Sequence, residues 1–219
     1  MKRLAIIAAF TLSVEVAMAQ SVAGVDIQRM AGQSRAAAEA ARAVLAELVT
    51  DANAARMGLR FAAAATRASI GPPFADFMVD LPRLAGFRAG IDPATLLRPT
   101  GMIVYPLATE RGGLSSVTLA DRDGKWQAVS FGSPARTRAM EETRAETARR
   151  DQARLEDYFQ VRIAPFNVIF VARVGGGQLW LTPAFSNPVY KLQKGKSLPA
   201  ATMFSGLAEF AKTDPGGFR

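Results

Sequence analysis

The sequence contains no histidine and no cysteine among its 219 residues. Ser-His-Asp and Cys-His catalysis therefore cannot be built within this chain. Zinc and copper sites made from imidazole or thiolate ligands are excluded for the same reason. Disulfides are excluded too, but a domain of this length buries roughly 70% of its unfolded surface and does not need them. These absences favour a protein that is not an enzyme.

Long apolar runs are also scarce, and the clearest one stands at the N-terminus. The stretch MKRLAIIAAFTLSVEVAMAQ begins with two basic residues, continues with an apolar run at 4–12 and ends in small residues. This pattern predicts a signal peptide, residues 1–19, cleaved between Ala19 and Gln20. A spanning helix needs about 20 predominantly apolar residues, and Glu15 interrupts this segment. We therefore expect a periplasmic protein, with secretion as the second choice, whose mature chain has no integral membrane segment.

Acidic residues are missing from a long C-terminal stretch, Tyr158 to Ala208. The formal charge of the chain is +8, and the stretch carries five bases. These bases are Arg162, Arg173, Lys191, Lys194 and Lys196. A surface of one sign attracts anionic partners, so an anionic surface or an acidic envelope protein is the expected partner. Nucleic acid is not expected, because the bases form no dense run interleaved with aromatic residues.

Aromatic residues make up only 8% of the chain. Four aromatics, Trp126, Trp180, Tyr105 and Tyr190, lie on or beside predicted strands, where they either line a pocket for an apolar or sugar ligand or belong to the sheet core. Trp126, Trp180 and Tyr190, together with the five bases, are the candidate binding residues.

The triplet Gly-Lys-Ser at 195–197 resembles the end of a phosphate-binding loop. Such a loop needs a glycine five residues earlier, and Tyr190 stands there. The triplet is therefore interpreted as a basic loop, and no nucleotide or other cofactor is expected. Ser197 with Lys194 or Lys196 remains as a candidate nucleophile and base.

Carboxylates supply few further candidates. Asp121 and Asp123 resemble part of a calcium loop, but the later acidic ligands are missing, so no metal site is predicted. Asp76 and Asp80 share one face of a possible helix and are the candidate carboxylate pair for an enzyme that hydrolyses glycosides.

The first half of the mature chain is predicted to be mainly helical. Apolar residues recur every three or four positions from Ser34 to about Ser69, which predicts a long helix with Ser34 as its cap. Five prolines between 72 and 99 then indicate short elements, including an amphipathic piece at 74–84.

Strands dominate the second half. Residues 102–108 and a hairpin at 114–132, turning at Asp123-Gly124, predict three strands. A charged helix from Pro134 to about Asp157 follows, with expected ion pairs such as Glu146–Arg150. Two further strands between 159 and 185 and a helix at 199–212 complete the pattern.

The predicted fold class is α+β. It has a long N-terminal helix, an antiparallel or mixed sheet of about five strands, a crossover helix between strands 3 and 4, and a C-terminal helix. Residues 20–219 are predicted to form a single domain, with a helical part at 34–98 and a sheet part at 100–212.

The leading functional hypothesis is an exported, non-enzymatic binding or interaction protein of the cell envelope. One alternative is a hydrolase that uses carboxylates or a Ser-Lys pair. The other is a structural envelope component that binds anionic surfaces through its basic C-terminal part.

Overall fold

The computed structural model of the chain describes residues 21–109 and 112–213, without the side chain of Ser21. The predicted signal peptide, with its cleavage point between Ala19 and Gln20, lies outside these residues. Among the described residues, no helix has the length and apolar character needed to cross a membrane.

Nine strands within the described residues form one mixed sheet. A separate two-stranded ribbon, β1 and β2, precedes them. The strands are β1 Ser21–Val22, β2 Val25–Asp26, β3 Ser69–Ile70, β4 Phe74–Met78, β5 Arg98–Ala108, β6 Leu114–Arg122, β7 Lys125–Phe131, β8 Phe159–Ile163, β9 Val168–Gly175, β10 Gln178–Pro183 and β11 Leu198–Pro199. Across the sheet the order is β11-β10-β9-β8-β4-β5-β6-β7, and β3 pairs with the end of β5. β4 and β8, at the centre, are parallel, whereas the other described pairs are antiparallel.

Helices cover both faces of this sheet. The α-helices are α1 Ile27–Leu48, α2 Leu81–Ala85, α3 Pro134–Asp151 and α4 Ala200–Thr213. Short 3-10 turns occupy Ala62–Arg67, Pro93–Leu96, Leu155–Asp157 and Ala164–Phe166. α1, α2 and α4 pack on one face, here called the α1 face, and α3 packs on the other, the α3 face.

Alternation along the strands assigns side chains to these faces. Ile103 of β5 packs under α1, and its register partner Ala75 of β4 belongs to the cluster under α2 and α4. Ile169 and Val171 of β9 point the other way and pack under α3. The centre of the sheet is therefore buried on both sides, as its apolar strands require, whereas the edge strand β7 is largely exposed.

A fully buried arginine anchors α3 to the sheet. The side chain of Arg144 is 0% exposed, and its guanidinium lies 3.9 Å from the centre of the Phe74 ring. It donates hydrogen bonds to the carbonyl oxygen of Pro73 (3.3 Å) and to the carboxylate of Glu141. Burial lowers the pKa of Arg144, and Glu141 opposes that shift. The charge is thus held by a carboxylate, a carbonyl and an aromatic face rather than by water.

The α+β class is confirmed, but the prediction of about five strands is wrong because the described residues place nine strands in the sheet. The largest omission is β4, which was interpreted as part of an amphipathic helix. Its residues are apolar on both sides of Asp76, and that aspartate is buried by pairing with strand β8. The segment predicted as helical thus supplies a central strand. The described residues from Phe159 onward form four strands rather than two.

The first helix also differs from its prediction, since it runs over Ile27–Leu48 instead of Ser34 to Ser69. Its N-cap is Asp26, whose side chain accepts a hydrogen bond from the Arg29 amide (2.9 Å). Ser34 lies inside the helix, and its hydroxyl bonds to that of Tyr105 at 2.8 Å. After Leu48 the side chain of Asn53 bonds to the backbone of residues 48 and 50, which replaces the next helical turn.

Candidate functional site

A groove opens on the α3 face where the last turn of α3 meets β9 and β10. Its floor carries Arg173 of β9 and Trp180 of β10, which are direct cross-strand partners. The segment that leads into β11 supplies Lys196 and Ser197 as the opposite wall. The groove has a volume of about 610 Å³ and is open to solvent.

The groove holds more positive than negative charge. Asp151 accepts hydrogen bonds from both Arg150 Nε (3.1 Å) and Arg173 Nη2 (3.2 Å), so one carboxylate serves two guanidinium groups. Lys196 is exposed and has no ion-pair partner among the described residues. The C-terminus of α3 adds about half a negative charge, and Glu146 lies beside Gly195, the residue that precedes Lys196. The three positive charges of Arg150, Arg173 and Lys196 still exceed the sum of these negative charges.

Hydrogen bonds fix the wall of the groove. Arg150 donates to the carbonyl oxygen of Gly195 (3.3 Å) and to the hydroxyl of Ser197. The hydroxyls of Ser197 and Thr182 lie 2.6 Å apart. Arg150 therefore ties the end of α3 to the 195–197 segment and holds its own guanidinium at the groove.

Gly175 positions both residues on the floor. A Cβ at this position would lie 2.5 Å from Arg173 Nη1, so the absence of a side chain leaves room for the guanidinium. The carbonyl oxygen of Gly175 accepts a hydrogen bond from Trp180 Nε1 at 3.3 Å. Both side chains are therefore held in place before any ligand arrives.

Tyr158 lies buried beneath the groove. Its hydroxyl donates to Asp151 Oδ2 at 3.4 Å, and the guanidinium carbon of Arg173 lies 5.9 Å from the centre of its ring. Burial raises the pKa of Tyr158 to about 12, Asp151 adds to the shift, and Arg173 opposes it. The phenol is thus neutral at ordinary pH, and it donates a hydrogen bond to the carboxylate of Asp151.

Comparison of the chain with protein-family models, curated proteins and solved structures found no match.

The structure brings three of the eight candidate binding residues together in the groove, namely Arg173, Trp180 and Lys196. Lys194 instead pairs with Glu142 at 2.8 Å, and Lys191 is exposed in a loop. The bases of the acid-free stretch therefore do not form one continuous unpaired surface.

The other two aromatic candidates lie elsewhere. Trp126 is paired in register with Asp121, on the α1 face, and packs against the cluster under α1. Tyr190 is 5% exposed, and its ring stacks on Phe166 with 4.4 Å between centroids. Tyr190 is thus a core residue and does not face a ligand.

Arg162 is engaged at the centre of the sheet. Its guanidinium binds both carboxylate oxygens of Asp76, with Nε 2.8 Å from Oδ1. Gln160 and Thr100 donate to the same carboxylate, which is 2% exposed. Asp76 raises the pKa of Arg162. This cluster joins β4, β5 and β8, and it is a structural feature of the sheet centre.

The candidate catalytic groups contact other residues within the described part of the chain. Ser197 bonds to Arg150 and Thr182, and neither nearby lysine is hydrogen-bonded to it. Asp80 forms an exposed ion pair with Arg98, apart from the buried carboxylate of Asp76. No group of three His, Cys, Asp or Glu side chains that could hold a metal ion occurs in the described part of the chain.

Arg150 and Asp151 are the groove residues that the sequence did not single out. Arg150 was expected to pair with Glu146 along the helix surface, whereas it binds Asp151 and the 195–197 segment. The sequence signal was the pair of arginines at the helix end, which is favourable at a helix C-terminus whether or not a site is present.

Proposed function

We propose that the protein is an exported, non-enzymatic binding protein of the cell envelope that holds an anionic ligand in this groove. The observation that carries the proposal is the sharing of Asp151 by Arg150 and Arg173, beside an exposed Lys196 that has no ion-pair partner among the described residues. Asp151 is the only hydrogen-bond acceptor of Arg173 among the described residues, and an anion supplies further acceptors to Arg173 and Lys196 through charge-assisted hydrogen bonds.

The arrangement supports binding rather than turnover. The groove presents cations, an indole and a serine whose hydroxyl is hydrogen-bonded to an arginine and a threonine. A serine nucleophile needs a neighbouring base, and a guanidinium does not act as one. The missing histidine and cysteine support the same conclusion.

Fluorescence tests the proposal, because the chain has two tryptophans. Trp126→Phe leaves Trp180 as the sole reporter, and the full chain carrying this change is titrated with polyphosphate. We expect a change in Trp180 emission whose apparent affinity falls steeply with added salt.

A charge-matched pair of variants locates the binding. In the Trp126→Phe background, Lys196→Gln is expected to weaken polyphosphate binding roughly fivefold, equivalent to about 1 kcal/mol. Lys125→Gln removes the same charge from the exposed start of β7 and is the control. Equal weakening by both variants, or no response either to polyphosphate or to a second, less densely charged polyanion, would refute anion binding in the groove.

Export is tested separately. The native protein is recovered from the periplasmic fraction and sequenced from its N-terminus, which is expected at Gln20. Native material in the cytosol that begins at Met1 would contradict the export part of the proposal.

A further inference from the structure

We propose that the ligand of the groove is an acidic polysaccharide, one of whose sugar rings lies against Trp180 while its carboxylate faces the cations. This inference rests on the proposed function and names the ligand class for the same groove.

Trp180 supplies an apolar surface beside the charges. Its indole is half-buried, and its N–H is already used by the carbonyl oxygen of Gly175. What remains for a ligand is the ring surface, which suits the C–H face of a sugar. Arg173 lies directly opposite on β9 and Pro199 directly opposite on β11, so the indole sits between fixed neighbours.

The charges select against a densely charged anion. Asp151 partly neutralises Arg150 and Arg173 within the groove, and the carboxylate of Glu146 lies nearby, beside Gly195. These carboxylates repel neighbouring phosphates or sulfates, but they accept hydrogen bonds from hydroxyl groups. A chain of uronic acids has one carboxylate per ring and several hydroxyl groups. Its charge density is low, and its hydroxyls can donate hydrogen bonds to these carboxylates.

The open shape favours a polymer over a small metabolite. Sites for small molecules generally enclose 70–90% of the ligand surface. This groove is open to solvent along the end of α3, so a small ligand would remain largely hydrated there. A long polysaccharide chain can cross the groove and continue beyond it, and the protein does not need to close around it.

Calorimetry on the full chain distinguishes this ligand class from others. The probes are an oligogalacturonate, a neutral glucan of equal length, polyphosphate, and vesicles of phosphatidylglycerol. At one fixed salt concentration, the oligogalacturonate is expected to bind at least tenfold more tightly than the neutral glucan.

Trp180→Leu is the decisive variant. It is expected to weaken oligogalacturonate binding about tenfold, equivalent to about 1.4 kcal/mol, because the sugar ring loses its aromatic contact. Polyphosphate binding should change less than twofold, and its retention shows that the groove is still folded. Trp126→Phe, on the other face of the sheet, is the control and should alter neither affinity. Should Trp180→Leu fail to fold, Lys196→Gln is expected to weaken oligogalacturonate binding more than Lys125→Gln does.

Each other outcome has a defined meaning. Equal binding of the neutral glucan, insensitivity of oligogalacturonate binding to Trp180→Leu, or tighter binding to the anionic vesicles would overturn the polysaccharide inference and leave anion binding intact. Failure of both oligogalacturonate and polyphosphate to bind would overturn the proposed function itself.

Discussion

Raising the pH should destabilise the protein through Tyr158. Its pKa is about 12 in the folded protein, against 10 for an ordinary tyrosine. Folding therefore favours the protonated phenol, so this contribution is complete below pH 10 and is lost as the pH rises from 10 to 12. Between pH 9 and pH 11 the loss amounts to about 1.3 kcal/mol, from the ionisation of the unfolded chain.

The assay compares the wild-type chain with Tyr158→Phe by urea unfolding at both pH values. At pH 9 the variant is expected to be less stable by roughly 0.5–1 kcal/mol, because it loses the hydrogen bond to Asp151. At pH 11 the order reverses, because phenylalanine cannot ionise. Tyr105 also has a raised pKa, but it is present in both proteins and cancels in the difference. A difference in stability that stays constant from pH 9 to pH 11 would refute the reasoning.

Three further predictions concern stability measured by urea or thermal unfolding. Asp76→Ala should lower the free energy of unfolding by about 3 kcal/mol or more. The change leaves the guanidinium of Arg162, at the centre of the sheet, without the carboxylate that binds it through two hydrogen bonds. Asp80→Ala breaks an exposed ion pair and should lower the free energy of unfolding by less than about 1 kcal/mol. Equal losses of stability in Asp76→Ala and Asp80→Ala would contradict the burial assigned to Asp76. Gly32→Ala should stabilise α1 by about 0.5–1 kcal/mol, because a Cβ there meets nothing within 4 Å, and a lower melting temperature would be the wrong sign. Gly58→Ala should cost more than about 3 kcal/mol, because a Cβ at φ +80° would lie on a carbonyl oxygen of residue 114. Gly90→Ala has the same backbone strain but open space, and should cost only about 1 kcal/mol.

The elements that sequence predicted well are those set by local chemistry. Asp123-Gly124 predicted the turn between β6 and β7, and both residues have positive φ there. The side chain of Asp121 closes the turn by accepting a hydrogen bond from the Gly124 amide at 2.8 Å. Such a turn depends on a few neighbouring residues, so the sequence is sufficient to specify it.

β4 could not be predicted in the same way because its identity depends on a distant strand. An aspartate within an apolar pentapeptide is consistent with an amphipathic helix until its partner is known. That partner, Arg162, lies 86 positions along the chain. The pairing with Arg162 compensates the cost of burying Asp76 and places the segment in the sheet. No periodicity in the local sequence indicates this pairing.

The groove was partly predictable for a related reason. Period-two alternation places Arg173 with the residues of β9 that face α3, and the sequence had marked Arg173, Trp180 and Lys196 as candidates. The contribution of α3 was not predictable, because a charged helix surface offers many equivalent ion pairs. Which arginine turns towards the 195–197 segment is decided by how the helix lies across the sheet.

The parallel pairing of β4 with β8 has a consequence for the chain during its synthesis. Asp76 and Gln160 are 84 positions apart, and ribosomes add about 5–20 residues per second. For roughly ten seconds the nascent N-terminal portion has an open strand edge at what will become the middle of the molecule. The meander β5–β7 can assemble early from neighbouring residues, but closure waits for β8. Until residue 159 has been synthesised, this edge of β4 has no partner within the sheet and is open to pairing with another extended segment.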